Sequence, residues 1–217
     1  MNDEIKNNVR KSGTSIVGIV CKDGVVIGAD RRSTAGNMIM SKNSKKAIPI
    51  QDRIVVAGTG VASDIDLSQR VFSAELKLLE LKTRSKPTVK ESASLFGMMS
   101  YRNIRTPSMV PSIVGMLVGG FNEDGTTELY TIEPAGGVYP VEDYDANFSS
   151  GMPFILGLLE RQWKPDLTIK EGVELAQEAL KSSTQRDSAS GNGIDVFSIT
   201  KDGIKHEISQ TITPQFN

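Results

Sequence analysis

A glycine followed by a threonine, Gly13-Thr14, joins a polar N-terminal segment to a β-rich run. A threonine hydroxyl is a weak nucleophile without a neighbouring base. A threonine at a chain terminus, however, carries its own base, the α-amino group, whose unperturbed pKa is about 7.7 to 8.0. Cleavage after Gly13 would create that terminus, and a glycine on the leaving side lets the backbone bend toward the hydroxyl. The junction predicts a self-activated nucleophile at Thr14, although a Gly-Thr pair taken alone is more often the start of a strand.

Two charged residues follow at positions that antiparallel pairing could bring beside Thr14. Asp30 ends the first predicted hairpin, and Lys46 precedes the next strand. A lysine held by the aspartate would favour the deprotonated threonine oxygen, most strongly in a cleft that restricts water. Either residue taken singly is equally well explained as a surface charge.

Strands that could position these residues are predicted in hairpins around Asp-Gly dipeptides, which supply the positive φ of a tight turn. The paired runs are 14–20 with 25–30, 112–121 with 127–132, and 194–199 with 204–208; residues 53–57 form a further short strand.

Helical patterns fill the intervals between the hairpins. Capping-box signatures at Thr88 with Glu91 and at Thr168 with Glu171 open two helices, the first of which should end before Pro107. Another helix is predicted from Pro153 through Trp163. Apolar residues on one helical face are Ile65, Phe72, Leu76 and Leu79, and in the last helix Ile169, Val173, Ala176 and Leu180. Because hairpins alternate with helix pairs, we expect an α+β layered domain with mainly antiparallel sheets and helix pairs on their outer faces.

Composition narrows the function classes. The 217 residues suit one large domain, and 25 basic against 26 acidic side chains argue against an electrostatic nucleic-acid or membrane binder. The lone Cys21 cannot form an internal disulfide or a thiolate metal cage, which predicts a reducing compartment and no structural metal. The longest strongly apolar stretch, 113–121, is too short to span a bilayer, so a soluble protein is expected. Residues 1–12 are polar and are interpreted as a disordered leader rather than a signal peptide.

The single histidine, His206, excludes most histidine-based chemistry. It occupies a polar position of a short alternating run near the chain end, which predicts a solvated strand residue. If the protein is a hydrolase, its base is therefore expected to be something other than imidazole.

Ordered motifs along the chain resemble those of proteasome β subunits, especially archaeal ones. They are Thr14-Ser15-Ile16-Val17-Gly18, Gly28-Ala29-Asp30-Arg31-Arg32, Ala57-Gly58-Thr59-Gly60, Ser149-Ser150-Gly151 and Gln185-Arg186-Asp187-Ser188-Ala189-Ser190-Gly191. Each motif is weak by itself, but their order, together with Lys46 at the family's distance from Thr14, is specific. The resemblance covers residues 13 to about 208.

The resemblance implies a role for each matching residue. Thr14 would be the nucleophile, exposed when residues 1–13 are removed by self-cleavage after Gly13, with residues 14–217 as a single peptidase domain. The remaining matches are Asp30 and Lys46 as the acid and lysine beside it, Ser150, Asp187 and Ser190 around its amine, the backbone N–H of Gly58 as oxyanion donor, and Thr34 as a backbone partner of extended substrate.

The resemblance also implies an architecture and partners. It predicts a four-layer α-β-β-α sandwich of the N-terminal-nucleophile hydrolase type, and a cytoplasmic threonine endopeptidase that needs no cofactor. The expected partners are other β subunits in a seven-membered ring, α-subunit rings, an ATP-dependent unfoldase cap and unfolded polypeptide substrates, without nucleic acid or membrane.

Departures from the family pattern leave some alternatives open. The stretch from Lys46 to Gly58 is slightly short and the stretch after Gly60 slightly long, so the residues that set cleavage preference are uncertain, with Val56 and Ser33 as candidates for the first pocket. A non-catalytic, unprocessed structural β subunit remains the main alternative function. Another hydrolase of the same architecture, such as the bacterial two-ring peptidase, is a third.

Overall fold

The structure is a computed structural model, and it describes residues 13–109 and 112–212. The predicted disordered leader, residues 1–12, lies outside the described residues. Within the described part of the chain, two five-stranded sheets and a separate two-stranded hairpin make up the β structure.

The first sheet carries the N-terminal threonine. Its strand order is β10 (Tyr144–Asp145), β1 (Ile16–Cys21), β2 (Gly24–Asp30), β11 (Gly193–Thr200) and β12 (Gly203–Thr211), and every neighbouring pair is antiparallel. Ile16 pairs with Ala29, so the start of β1 lies beside the end of β2. This register places Thr14 next to Asp30.

The second sheet is also antiparallel throughout. Its order is β5 (Ala47–Ile50), β6 (Ile54–Gly60), β7 (Val114–Phe121), β8 (Thr127–Ile132) and β9 (Val138–Pro140). Strands β3 (Ser33–Ala35) and β4 (Met38–Ser41) form the separate hairpin. Lys46 directly precedes β5, so the edge of the second sheet fixes where that lysine enters the site.

Helices form where the sequence predicts them. Among the described residues they are α1 (Ala62–Thr83), α2 (Val89–Arg105), α3 (Met152–Gln162) and α4 (Ile169–Thr184). Both capping boxes are present: each threonine accepts from the N–H of the glutamate three residues on, and the glutamate accepts from the threonine N–H. Helix α3 ends at Gln162, with Trp163 as its C-cap, so the structure confirms this helix to within one residue.

Buried apolar residues gather in clusters between helices and sheets. One cluster joins α1 and α2 to the second sheet and contains Phe72 and Phe96, whose rings meet edge to face at 5.2 Å. Another joins α3 and α4 to the first sheet, and a third combines residues of both sheets. Alternation along β6 sends Val56 toward the helices and Ala57 toward the other sheet. The expected mixed fold with antiparallel sheets and helix pairs is confirmed.

Some local predictions are wrong. Gly125 and Gly203 have positive φ, as expected for their turns, but Gly24 does not and belongs to β2. A side chain at Gly24 would overlap the carbonyl oxygen of Ile199, so close packing against β11 explains this glycine better than turn geometry. Strands β3, β4, β5, β9 and β10 were not expected, because runs of two to four residues carry too little periodicity to be recognised.

No helix in residues 13–109 and 112–212 is long and apolar enough to cross a membrane.

Candidate active site

Thr14 lies immediately before β1 and is almost completely buried. Its backbone N–H donates to Ser150 Oγ at 2.9 Å. Its own hydroxyl, Oγ1, is a buried atom without a hydrogen-bond partner among the described residues. Because buried hydroxyls are nearly always bonded, an unpartnered one indicates a group kept available for another purpose.

Asp30 terminates β2 with a carboxylate that is held from several sides. It accepts the N–H groups of Ser15 and Arg32, each at 2.8 Å, and of Gly191 at 2.9 Å. Its Oδ1 also contacts Lys46 Nζ at 2.7 Å. These backbone donors fix the carboxylate independently of the lysine.

Lys46 is buried with its ammonium between two acceptors. Nζ donates to Asp30 Oδ1 at 2.7 Å and to the carbonyl oxygen of Gly13 at 3.2 Å. Burial lowers the pKa of Lys46 from its ordinary value, and the nearby Asp30 carboxylate partly offsets that effect. The structure thus places Asp30 and Lys46 together beside the Gly13-Thr14 junction, and their roles at Thr14 stay a prediction.

The peptide bond before Thr14 is enclosed by its neighbours. The N–H of Gly13 donates to Thr34 Oγ1 at 3.3 Å. A side chain at position 13 would overlap Ala189 Cβ and lie 2.8 Å from Ser150 Oγ. Lack of a side chain at Gly13 is therefore a packing requirement. Thr34, expected to bind substrate through its backbone, here contacts Gly13 through its hydroxyl.

Ser150, Asp187 and Ser190 come together on the other side of Thr14. Ser150 Oγ, which accepts the Thr14 N–H, lies 2.6 Å from Asp187 Oδ2 and 3.0 Å from the Thr14 carbonyl oxygen. Ser190 Oγ donates to the same Asp187 oxygen at 2.6 Å. This arrangement would give a positively charged amine on Thr14, if one were freed, a hydroxyl acceptor backed by a carboxylate.

Gly58 is less clearly placed for an oxyanion. Its N–H donates to the carbonyl oxygen of Lys46 at 3.2 Å, within the pairing of β5 and β6. A Cβ at Gly58 would lie 2.6 Å from Ile65 Cγ2, so the missing side chain makes room for helix α1. The Gly58 N–H could donate to an oxyanion only after its hydrogen bond to the Lys46 carbonyl had broken.

A cavity of about 260 Å³ opens beside Thr14. Its lining includes Thr14, Ser33, Lys45, Ile65, Asp66 and Gln69. Ser33 therefore lies where the sequence analysis expected a pocket residue. Val56 is not among the lining residues and is buried in the cluster under helices α1 and α2, so its place in the first pocket stays a prediction.

Sequence reasoning missed several residues that organise the site. Ser15 Oγ donates to Ser190 Oγ at 2.8 Å, extending the hydroxyl network beyond Asp187. Arg31 forms a two-pronged ion pair with Asp195, at 2.8 and 2.5 Å. No pattern in the sequence signals either contact, because the partners are more than 160 residues apart along the chain.

His206 is an exposed residue on β12, as predicted, and it also contacts neighbouring side chains. Its Nε2 lies 2.9 Å from Asp195 Oδ1, and its ring stacks on Phe197 at 4.3 Å. In the part of the chain that the structure describes, no group of three or more His, Cys, Asp or Glu side chains could hold a metal ion.

Comparison with known proteins identifies relatives over almost the whole chain. A family model described as proteasome subunit matches residues 10–199. A proteasome subunit beta from Archaeoglobus profundus is 42% identical over 200 residues, covering 92% of this chain and 90% of the relative. Similar proteins include proteasome subunit beta of Nanoarchaeum equitans, 36% identical with 88% and 95% coverage, and proteasome subunit beta 2 of Pyrococcus abyssi, 38% identical with 89% coverage of each.

Proposed function

Because this chain belongs to the proteasome subunit family, as a β subunit of the archaeal type, we propose that it is a threonine endopeptidase whose nucleophile is Thr14. The observation that carries the proposal is the position of Lys46, whose ammonium contacts Asp30 and the Gly13 carbonyl next to the unpartnered Thr14 hydroxyl. A peptide carbonyl, a cation on its oxygen and a free hydroxyl are the groups that acyl transfer requires.

Self-cleavage follows from these positions. Thr14 Oγ1 attacks the carbonyl carbon of Gly13, and Lys46 stabilises the negative charge that develops on the Gly13 oxygen. The C–N bond then breaks, the nitrogen of Thr14 takes up a proton as a free amine, and Gly13 is left as an ester on Thr14. Water hydrolyses that ester, which releases residues 1–13 with a C-terminal carboxylate and restores the hydroxyl.

The freed amine then serves as the base for substrates. Ser150 Oγ already accepts from the nitrogen of Thr14. That hydroxyl is held by Asp187, whose carboxylate also accepts from Ser190, so the amine has a fixed acceptor on one side. Thr14 attacks a substrate carbonyl, its proton passes by way of the amine to the leaving nitrogen, and water later resolves the acyl ester.

The proposed function also requires that the chain assemble with other proteasome subunits. Membership of the family implies a place in the proteasome core with other subunits. We propose a seven-membered β ring stacked on α-subunit rings, fed with unfolded polypeptides by an ATP-dependent cap in the cytoplasm. The helix, sheet, sheet and helix contacts described above support the four-layer architecture of N-terminal-nucleophile hydrolases.

One observation favours the alternative of an unprocessed structural subunit. The Gly58 N–H is engaged with the Lys46 carbonyl, so the oxyanion donor is not free in this form. The structure describes the chain with Gly13 attached. In the enzyme, the hydrogen bond between the Gly58 N–H and the Lys46 carbonyl is expected to break when the leader is cleaved.

Intact mass and N-terminal sequencing of the assembled particle separate the two functions. The enzyme begins at Thr14 and hydrolyses an unfolded protein; Thr14→Ala particles retain residues 1–13 and are inactive. Mature rings of the wild-type chain that keep residues 1–13 would establish the structural subunit instead. Co-purifying α rings would exclude the bacterial two-ring peptidase.

A further inference from the structure

Asn147 is a buried residue with an unusual backbone conformation close to the candidate site. Its φ is +45°, in the left-handed region that asparagine tolerates better than most residues. It lies in the connection that leaves β10 and leads to Ser150. A strained conformation in a buried segment persists only where its surroundings hold it.

The side chain of Asn147 bonds to the opposite sheet. Nδ2 donates toward Thr131 Oγ1 at 2.8 Å, the Ile132 carbonyl at 3.1 Å and the Met116 carbonyl at 3.3 Å. Met116 and Ile132 are paired across β7 and β8. The amide therefore joins the two strands at the point where they meet.

The other half of the amide is equally constrained. Oδ1 accepts the N–H of Phe148 at 2.7 Å. A side chain at Gly115 would overlap Oδ1, so this glycine of β7 provides the space that the amide occupies. Asparagine is thus the residue that combines the left-handed backbone with two donors and a local acceptor.

The segment after Asn147 bonds to Thr14. Ser150 Oγ accepts the Thr14 N–H, and the Gly151 N–H donates to the Thr14 carbonyl at 3.2 Å. Before Asn147, β10 pairs with β1 of the first sheet. Asn147 therefore fixes to the second sheet a loop that is bonded on one side to β1 and on the other to Thr14.

We propose that Asn147 is a positioning residue that holds Ser150 against the nitrogen of Thr14 by anchoring residues 147–151 to the paired ends of β7 and β8. The proposal rests on the proposed peptidase function. Asn147 touches neither the hydroxyl of Thr14 nor the cavity beside it, so its effect passes through Ser150.

Asn147→Gly is the informative variant because it keeps the left-handed backbone and removes only the amide. We expect assembled particles with kcat lower by about 10²-fold and KM unchanged, since small misplacements of catalytic groups have effects of that size. Asp166→Gly is the matched control: Asp166 also has positive φ, at +65°, but is exposed between α3 and α4. It should leave kcat unchanged.

The pH profile separates positioning from a loss of stability. A protonated Thr14 amine that loses its Ser150 acceptor has a lower pKa, so the acidic limb of kcat/KM should move to lower pH in Asn147→Gly and in Ser150→Ala alike. The double variant should be no slower than Ser150→Ala alone. Independent losses that multiply, or a wild-type kcat and acidic limb in Asn147→Gly, would overturn the proposal.

Two further measurements keep the test decisive. If Asn147→Gly does not assemble, Thr131→Val removes one acceptor of the amide at a half-buried position and should shift the acidic limb in the same direction; no shift would overturn the proposal. A crystal structure of the variant should show the Ser150 Oγ to Thr14 nitrogen distance increased beyond 2.9 Å. A wild-type particle without Thr14-dependent activity would instead refute the proposed function. The distance from Ser150 Oγ to the Thr14 nitrogen would still test whether Asn147 positions Ser150.

Discussion

Lys46 Nζ lies 3.2 Å from the carbonyl oxygen of Gly13, so one buried ammonium contacts the peptide bond that the neighbouring Thr14 hydroxyl would attack. The same ammonium is held by Asp30 at 2.7 Å. If the lysine were removed, Asp30 would keep the N–H groups of Ser15, Arg32 and Gly191 as donors. A substitution of Lys46 can therefore remove the positive charge without unfolding the site.

Lys46→Met should stop self-cleavage and peptide hydrolysis while the particle still assembles. Loss of a donor to a developing oxyanion costs about 10² to 10³ in rate, and methionine fills much of the lysine's volume. Intact mass over time measures the cleavage. Lys42→Met, at an exposed position, is the control. A rapidly processed Lys46→Met particle would show that Lys46 serves only as the partner of Asp30.

The lowered pKa of Lys46 predicts an alkaline limit to activity. Burial makes the folded protein release this proton at lower pH than the unfolded chain does. As the pH is raised, kcat/KM should therefore begin to decrease before the pH at which an exposed lysine loses its proton. Between the folded and unfolded pKa values the unfolded chain binds more protons, and this group's contribution to stability therefore rises with pH. Activity and thermal unfolding measured from pH 7 to 11 test both signs. A rate that stays constant to pH 11 would contradict the assignment.

Thr14→Val should abolish activity without reducing stability. The Thr14 hydroxyl has no hydrogen-bond partner among the described residues, so replacing it with a methyl of similar size removes no known bond. The free energy of unfolding should therefore fall by no more than about 0.5 kcal/mol. Calorimetry and a peptidase assay on the same sample measure the two effects. A clearly destabilised variant would reveal a partner for the hydroxyl.

Gly13→Ala should slow self-cleavage by about 10-fold or more, because overpacking of this size costs about 1 to 3 kcal/mol and would displace the scissile carbonyl from Lys46. Gly157→Ala is the matched control, since a Cβ at that helical position meets nothing within 4 Å. The rate of leader loss followed by mass spectrometry decides the question. Equal rates in both variants would mean that the leader moves before cleavage.

Cys21 should be unreactive in the folded protein. Burial raises the pKa of its thiol to about 12, so at pH 8 only about one thiol in ten thousand is ionised. A thiol-specific reagent should label the chain only after denaturation. Ser85→Cys, which adds an exposed thiol, provides the reactive control. Fast labelling of native Cys21 would show that helix α4 opens away from the first sheet.

Local signals were enough for much of this fold. The threonine and glutamate of each capping box are close in sequence, and both boxes formed as predicted. Alternating apolar residues around Asp-Gly turns located the hairpins at residues 124–125 and 202–203. The residue types at Thr14, Asp30 and Lys46, and their order, also pointed to one site, because a strand that reverses at a tight turn must return beside its own beginning.

Tertiary structure decided the contacts between residues that no local pattern connects. Asn147 bonds to carbonyl groups where β7 and β8 are paired, Arg31 bonds to Asp195 on β11, and the Gly58 N–H bonds to the carbonyl of Lys46. The Asn147 bonds depend on how the two sheets stack, whereas the other two depend on which strands become neighbours within one sheet. The energy that sets both kinds of approach is distributed over the whole core. The order of residues in the chain pointed to the groups that could do chemistry, whereas only the packed structure determined which of them touch.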